Sequence, residues 1–364
     1  MKLINVCGAR PNFMKIAPLM RAYGDHDAIE PILVHTGQHY DEKMSKLFFE
    51  ELQIPRPDLN LEVGSGSHAQ QTAEIMKRFE PLVVEQAPDM VLVVGDVNST
   101  IACALVAAKL GVAVAHVEAG LRSFDPSMPE EINRVLTDRI SDLLFVSEPS
   151  GLENLKREGA DPDKVHFVGN VMIDTLRFNR GKADQSNILN ELGLAAGQYV
   201  VVTLHRPSNV DDPVVFGRIL DALEQVQADL PVVFPMHPRT RSNIDKMGLA
   251  ARVGAMRQLR ILEPLGYLEF LKLLSEAAAV LTDSGGIQEE TTILQTPCLT
   301  VRQNTERPVT IEQGTNQLVG TDSEKIIAAY RGVRSRPCVE GPTPEKWDGQ
   351  AAGRIAEVLA RWSR

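Results

Sequence analysis

The residues best suited to chemistry in this chain stand at the ends of short apolar runs. Leu281-Thr-Asp-Ser-Gly-Gly-Ile-Gln-Glu-Glu290 ends one run on Asp283, sets two glycines at the turn and then opens a helical pattern. Free N–H groups at a helix start, with glycines permitting close approach, favour a phosphate. Glu290 lies one helical turn past Gly286, where a carboxylate can accept hydrogen bonds from ribose hydroxyls. An ordinary strand–helix turn with a polar cap explains the same residues, and the turn alone does not separate the two. Gly8-Ala-Arg-Pro-Asn-Phe-Met-Lys15 follows the first run and brackets another helix start with Arg10 and Lys15. It lacks the glycine spacing and G-K-[ST] ending of a P-loop. A guanidinium fork and a point charge still suit a diphosphate, with a capped helix carrying surface cations as the alternative. Arg307, in Thr305-Glu-Arg-Pro308, is a further cation candidate, and a surface turn is its plain alternative.

Acid/base candidates end two other runs: Val91-Leu-Val-Val-Gly-Asp96 and Val112-Ala-Val-Ala-His-Val-Glu118. If those runs are neighbouring strands, about 4.8 Å apart, both carboxylates point the same way. Asp96, just before Asn98-Ser-Thr, reads equally as a helix N-cap; Glu118, followed by Ala-Gly-Leu-Arg122, does not. Met128-Pro-Glu-Glu-Ile-Asn-Arg134 adds Glu130 and Arg134, which at this spacing also read as an i,i+4 ion pair. His205-Arg206 and His237-Pro-Arg239 follow two later runs, where a lone histidine is commonly structural. The histidines lack metal-ligand spacing and there is no H-E-x-x-H or C-x-x-C, so no metal site is expected. Neither a G-x-S-x-G elbow nor a G-x-G-x-x-G fingerprint occurs, which weakens hydrolase and dinucleotide readings.

These residues need a scaffold that brings strand ends together. Apolar runs at 3–8, 31–36, 90–95, 112–117 and 143–146 alternate with amphipathic segments, and a second set follows at 200–204, 232–235, 260–262, 279–282 and 298–301. Continuous rather than alternating apolar strands imply parallel sheets covered on both faces. The expected fold is α/β, with two doubly wound Rossmann-like domains facing a cleft at the carboxyl ends of their strands. The polar stretch 179–198 sets the boundary: domain one spans 1–180, domain two 181–345, and a last helix in 346–364, after the proline-rich run from Pro337 to Pro344, crosses back.

Composition bounds the partners. The chain has 364 residues, 43% hydrophobic and 24% charged, which suits a globular protein of two domains. A formal charge of −10 opposes general nucleic-acid or anionic-membrane binding. Four scattered cysteines point to a reducing compartment, and the absence of a signal peptide or spanning segment to the cytoplasm.

Taken together and in order, Gly8–Lys15, Val94-Gly-Asp96, His116-Val-Glu-Ala-Gly-Leu-Arg122, Pro129-Glu-Glu-Ile-Asn-Arg134, Asp283–Glu290 and Thr305-Glu-Arg-Pro308 resemble the non-hydrolysing UDP-N-acetylglucosamine 2-epimerases. The match runs from Met1 to about Asp322. The resemblance implies a fold like that of GT-B glycosyltransferases, a homodimer, and no cofactor or metal. By the same resemblance Arg10, Ser284, Gly285, Gly286 and Glu290 would hold UDP, with Lys15 and Arg307 nearby and Phe270 beside the uracil. Asp96, Glu118, Glu130, Arg134 and His205 would line the reacting sugar. The implied reaction eliminates UDP across C1–C2 to give 2-acetamidoglucal and adds it back with the C2 proton on the other face, in the service of surface polysaccharide synthesis.

The sequence departs from the family at two points. Thr36-Gly-Gln-His-Tyr-Asp41 stands where bacterial members carry Gln-His-Arg, linked there to a regulatory second UDP-N-acetylglucosamine site, and Leu265 stands where some relatives carry Gln. Competing readings are a glycosyltransferase on the same fold, an epimerase of a variant sugar such as UDP-2,3-diacetamido-glucuronic acid, a hydrolysing epimerase, and a nucleotide-sugar sensor.

Overall fold

Buried on both faces, the apolar runs pair into two all-parallel sheets. The computed structural model describes residues 1–38, 48–335 and 341–362, and of Arg10 only the backbone. Residues 39–41 of the Thr36–Asp41 stretch, Cys338 and the start of the proline-rich run lie outside the described residues. The chain divides into two compact units, Met1–Phe178 with Glu345–Arg364, and Asn179–Pro344. The division falls inside the helix Val171–Ala183.

The first unit holds seven strands: β1 (Lys2–Cys7), β2 (Glu30–His35), β3 (Leu59–Asn60), β4 (Met90–Val94), β5 (Ala113–Ala119), β6 (Leu143–Val146) and β7 (Val165–Phe167). They are ordered β3-β2-β1-β4-β5-β6-β7. Every residue of β4 and β5 is buried, as expected of central strands with helices on both faces. Ile4, Val6, Val91, Val93 and Val114 pack on one face against Phe79 and Val83 of the helix His68–Gln86 and Ala102, Cys103 and Val106 of the helix Asn98–Lys109. The chain's last helix, Ala351–Arg361, packs on the helix Arg10–Tyr23. Its first N–H groups, of Ala351 and Ala352, donate to the Asp174 carboxylate at 3.2 and 2.7 Å, and Trp347, fully buried, donates to Ser147 O.

The second unit holds β8 (Val200–Thr203), β9 (Val232–Pro235), β10 (Leu259–Leu262), β11 (Ala279–Thr282), β12 (Cys298–Thr300) and β13 (Asn316–Leu318), ordered β10-β9-β8-β11-β12-β13. Both sheets are thus doubly wound, reversing between β1 and β4 and between β8 and β11, and ligands of such sheets bind beyond the strand ends at that reversal. All ten expected strands are present, within one or two residues at their ends. The three unexpected ones, β3, β7 and β13, are edge strands of two or three residues.

Candidate active site

Around the carboxyl ends of β4 and β5, the motif His116–Arg122 becomes a support for one carboxylate. The β5–β6 register shifts between Val117 and Ala119, leaving Glu118 as the extra residue of a bulge, with φ of 73°. Bulges re-aim side chains, and non-glycine residues in this conformation are costly enough to need support. That support is layered. His116 Nε2 lies 2.8 Å from Gly95 O and its Nδ1 2.6 Å from Asp138. Asp138 also takes the Gly120 N–H and pairs with Arg122, which reaches on to Glu158. Burial opposes the Asp138 charge, but His116 and Arg122 outweigh it and hold this carboxyl below the usual range. Gly120 has φ of 82° and packs so tightly on Gly151 that an added Cβ would lie 2.4 Å from its carbonyl oxygen.

The Glu118 carboxylate is buried and ion-paired with the Lys15 ammonium. Gly95 makes the room: a Cβ there would lie 2.9 Å from Lys15 Nζ and 3.3 Å from Glu118 Oε2. Lys15 therefore stands with the carboxylates. Asn12, on the same helix, accepts from the Gly8 and Ala9 N–H groups and donates to Val94 O, tying the β1 turn to β4. Arg10 is the first residue of that helix.

Asp96 is not an N-cap: the helix Asn98–Lys109 begins after Val97 with no side-chain cap. Its carboxylate, 28% exposed, pairs instead with the buried Arg134. Nor do Glu130 and Arg134 pair. Arg134 bridges Asp96 and Glu131, and Glu131 further accepts from Ser123 N, Ser123 Oγ and Phe124 N, each at 2.9 Å. Glu130, half-buried, makes no ion pair or hydrogen bond among the described residues.

In the second unit the turn after β11 opens directly into a helix. Ser284 precedes the helix Gly285–Leu294 but its side chain does not cap it, so the first-turn N–H groups of Gly285 and Gly286 remain available. Arg307 is buried rather than on a surface turn. Its Nε lies 2.5 Å from Glu289 and its Nη1 2.6 Å from Glu306, whose other oxygen takes Arg302 at 2.8 Å. Arg206 approaches Glu306 at 3.6 Å. Three guanidiniums thus gather beside the turn, and a Cβ on Gly285 would lie 2.7 Å from Arg307 Nη1.

Glu290 is buried one turn further on, and burial pushes its carboxyl up to about 8, with Glu289 adding to the rise. Tyr267, whose hydroxyl faces it, opens the helix Tyr267–Ser275. Phe270 lies half-buried on that helix, against the cluster containing Ile287 and Leu273. His205, just past β8, is half exposed and sets Nδ1 2.8 Å from the buried Asp283 at the end of β11. Asp283 also accepts from the N–H groups of His205 and Arg206 and from Asn209.

The model of the UDP-N-acetylglucosamine 2-epimerase family matches residues 21–360. The chain belongs to that family. It is 44% identical over 369 residues to UDP-N-acetylglucosamine 2-epimerase of Methanocaldococcus jannaschii, with 99% of each chain covered. It is 42% identical over 365 residues to UDP-2,3-diacetamido-2,3-dideoxy-D-glucuronate 2-epimerase of Pseudomonas aeruginosa, covering 99% of this chain and 100% of that one. The crystal structure of the Methanocaldococcus jannaschii UDP-GlcNAc 2-epimerase in complex with UDP-GlcNAc and UDP superposes with a TM-score of 0.94 over all of both chains, at 42% identity.

In this 2-epimerase family member the motifs singled out in the sequence lie at strand ends or helix starts. Sequence reading missed the residues that hold those motifs in shape: Glu131, Asp138, Asp283, Glu289, Arg302 and Glu306. Each lies within or a few residues from a motif, so proximity was the available signal. Among the described residues no group of three His, Cys, Asp or Glu side chains is arranged to hold a metal, and no helix is long and apolar enough to cross a membrane.

Proposed function

We propose that this chain interconverts UDP-N-acetylglucosamine and UDP-N-acetylmannosamine, supplying a precursor for surface polysaccharide. The observation that carries the reading is the uncapped Ser284–Gly286 helix start with the Arg206, Arg302 and Arg307 guanidiniums beside it, in a chain that also carries a bulge-mounted Glu118. The C2–H of the sugar has no adjacent carbonyl, so its removal needs a good leaving group on C1. A base takes the C2 proton, the C1–O bond breaks, and the electron pair leaves with UDP to give 2-acetamidoglucal. The diphosphate charge that develops is met by first-turn N–H groups, Arg10 and Arg307, while Glu290 and Phe270 hold the ribose and uracil. UDP then adds back to C1 as C2 is protonated from the other face. Asp96, Glu118, Glu130, Arg134 and His205 serve this proton traffic.

The homodimer belongs to the same proposal. Ile132, Val135 and Leu136 sit at i, i+3 and i+4 on the helix Pro129–Ile140 and are 52, 37 and 50% exposed, an apolar stripe suited to a second copy. Light scattering tests it. Three buried free thiols, Cys7, Cys103 and Cys298, support a cytoplasmic setting.

Incubation with UDP-N-acetylglucosamine in D₂O tests the reaction: deuterium should appear at C2 of both epimers, with no requirement for an acceptor. No exchange and no UDP-N-acetylmannosamine would exclude this substrate. The 42% identity to the Pseudomonas aeruginosa enzyme favours a second reading, a 2,3-diacetamido uronic acid sugar, and the same experiment on that sugar decides between them.

A further inference from the structure

We infer that Asp283 is a positioning residue that sets the working tautomer of His205, so that one buried carboxylate governs both the imidazole and the phosphate turn that follows it. The inference rests on the epimerase reading above and goes beyond it.

Asp283 is fully buried at the point where the second sheet reverses, between β8 and β11. Its Oδ2 accepts from the N–H of His205 at 3.0 Å, the N–H of Arg206 at 2.9 Å and Asn209 Nδ2 at 3.2 Å, while Oδ1 faces His205 Nδ1 at 2.8 Å. Burial opposes its charge, but His205 and the two backbone N–H groups outweigh it and keep the carboxyl below its usual range. An ionised carboxylate only accepts, so the hydrogen between the two side chains belongs to Nδ1. The neutral ring then carries its lone pair on Nε2, and that nitrogen makes no hydrogen bond among the described residues. His205 is 44% exposed, so this edge is open to a ligand. A proton taken at Nε2 is returned from the same place, with Asp283 stabilising the imidazolium in between.

The same residue shapes the turn. Its carbonyl accepts from Arg206 Nε at 2.9 Å, and the next N–H, of Ser284, donates to Thr282 Oγ1 at 3.0 Å. Movement of a diphosphate on the Ser284–Gly286 N–H groups is thereby tied to the imidazole through a single residue.

Asp283→Asn makes a sharp test because the backbone dictates how the amide must sit. Its oxygen has to accept from the His205 and Arg206 N–H groups, which leaves the NH₂ against His205 Nδ1. That forces the ring into the Nε2–H tautomer and removes the lone pair from the open edge. With the wild-type protein labelled with [15N]histidine, NMR at a pH where imidazoles are neutral should show His205 as Nδ1–H. A wild-type His205 in the Nε2–H form overturns the inference without any variant. Asp283→Asn should reverse the tautomer and lower kcat on the order of 10²–10⁴-fold, the scale of a wrong-tautomer defect, with KM changed less than about threefold. In a His205→Gln background the same substitution should cost nothing further in kcat. Loss carried mainly by KM, or losses that multiply in the double variant, would show that Asp283 only ties strand ends together. If the wild-type protein exchanges no deuterium into any UDP-sugar, the epimerase reading fails while the tautomer result still decides the role of Asp283.

Discussion

Lys15 and Glu118 form an ion pair closed to water on both sides, their side chains 6 and 4% exposed. The pair connects the first helix to the bulge of β5, 103 residues apart in sequence. Its cation offsets the cost of burying the Glu118 carboxylate, the group proposed above to act at C2.

Removing one partner of a buried pair leaves an uncompensated charge, which costs about 3–5 kcal/mol. Lys15→Met should therefore lower the urea midpoint substantially and depress kcat. The double variant Lys15→Met/Glu118→Leu should regain most of the stability and none of the activity. A single variant as stable as the wild type would mean that Lys15 does not compensate Glu118.

Gly285 is a second place where packing leaves no room for a side chain. A Cβ there meets Arg307 Nη1 at 2.7 Å and Glu306 Oε1 at 2.8 Å, and both are locked by Glu289 and Arg302. Gly285→Ala should destabilise by about 1–3 kcal/mol, the range of overpacking, and weaken UDP binding by calorimetry. Gly217→Ala, in the helix Pro213–Asp229 with open space around it, is the control and should stabilise by about 0.5–1 kcal/mol.

Much of this was legible in the sequence because central parallel strands are buried on both faces and so read as unbroken apolar runs. β3, β7 and β13 were not, since two or three mostly half-buried or exposed residues at a sheet edge make no run. The motif residues were legible as an ordered set, but their pairings were not. Lys15 reads as a diphosphate cation until β5 brings Glu118 to it, and Glu130 and Glu131 are indistinguishable until the loop at Ser123 folds onto one of them. Asp138 pairs with a histidine 22 residues earlier, and no local spacing announces that.

Glu130 and Glu131 give a contrast between neighbours. Glu131 takes three hydrogen bonds from Ser123 and Phe124 and the Arg134 guanidinium, so Glu131→Ala should lower the melting temperature and the turnover together. Glu130→Gln should stay within about 0.5 kcal/mol of wild-type stability, as for substitutions away from packed features, while deuterium exchange at C2 falls sharply. Equal behaviour of the two variants would contradict the assignment.

Glu290 sets a pH dependence whose sign follows from its raised carboxyl. The folded, unliganded protein holds this proton up to about pH 8, whereas the unfolded chain releases it near the ordinary carboxyl value of 4.5. Between those values the native state binds more protons than the unfolded one, so stability falls as pH rises through the window and levels off above it. Glu290→Gln cannot titrate. Its melting temperature, measured from about pH 3.5 to 9, should fall less across the window than that of the wild type, and the difference in slope should vanish below the window. UDP should be bound less tightly by the variant at every pH, because an amide replaces the group proposed above to hold the ribose. Parallel melting curves for the two proteins would place the Glu290 proton elsewhere.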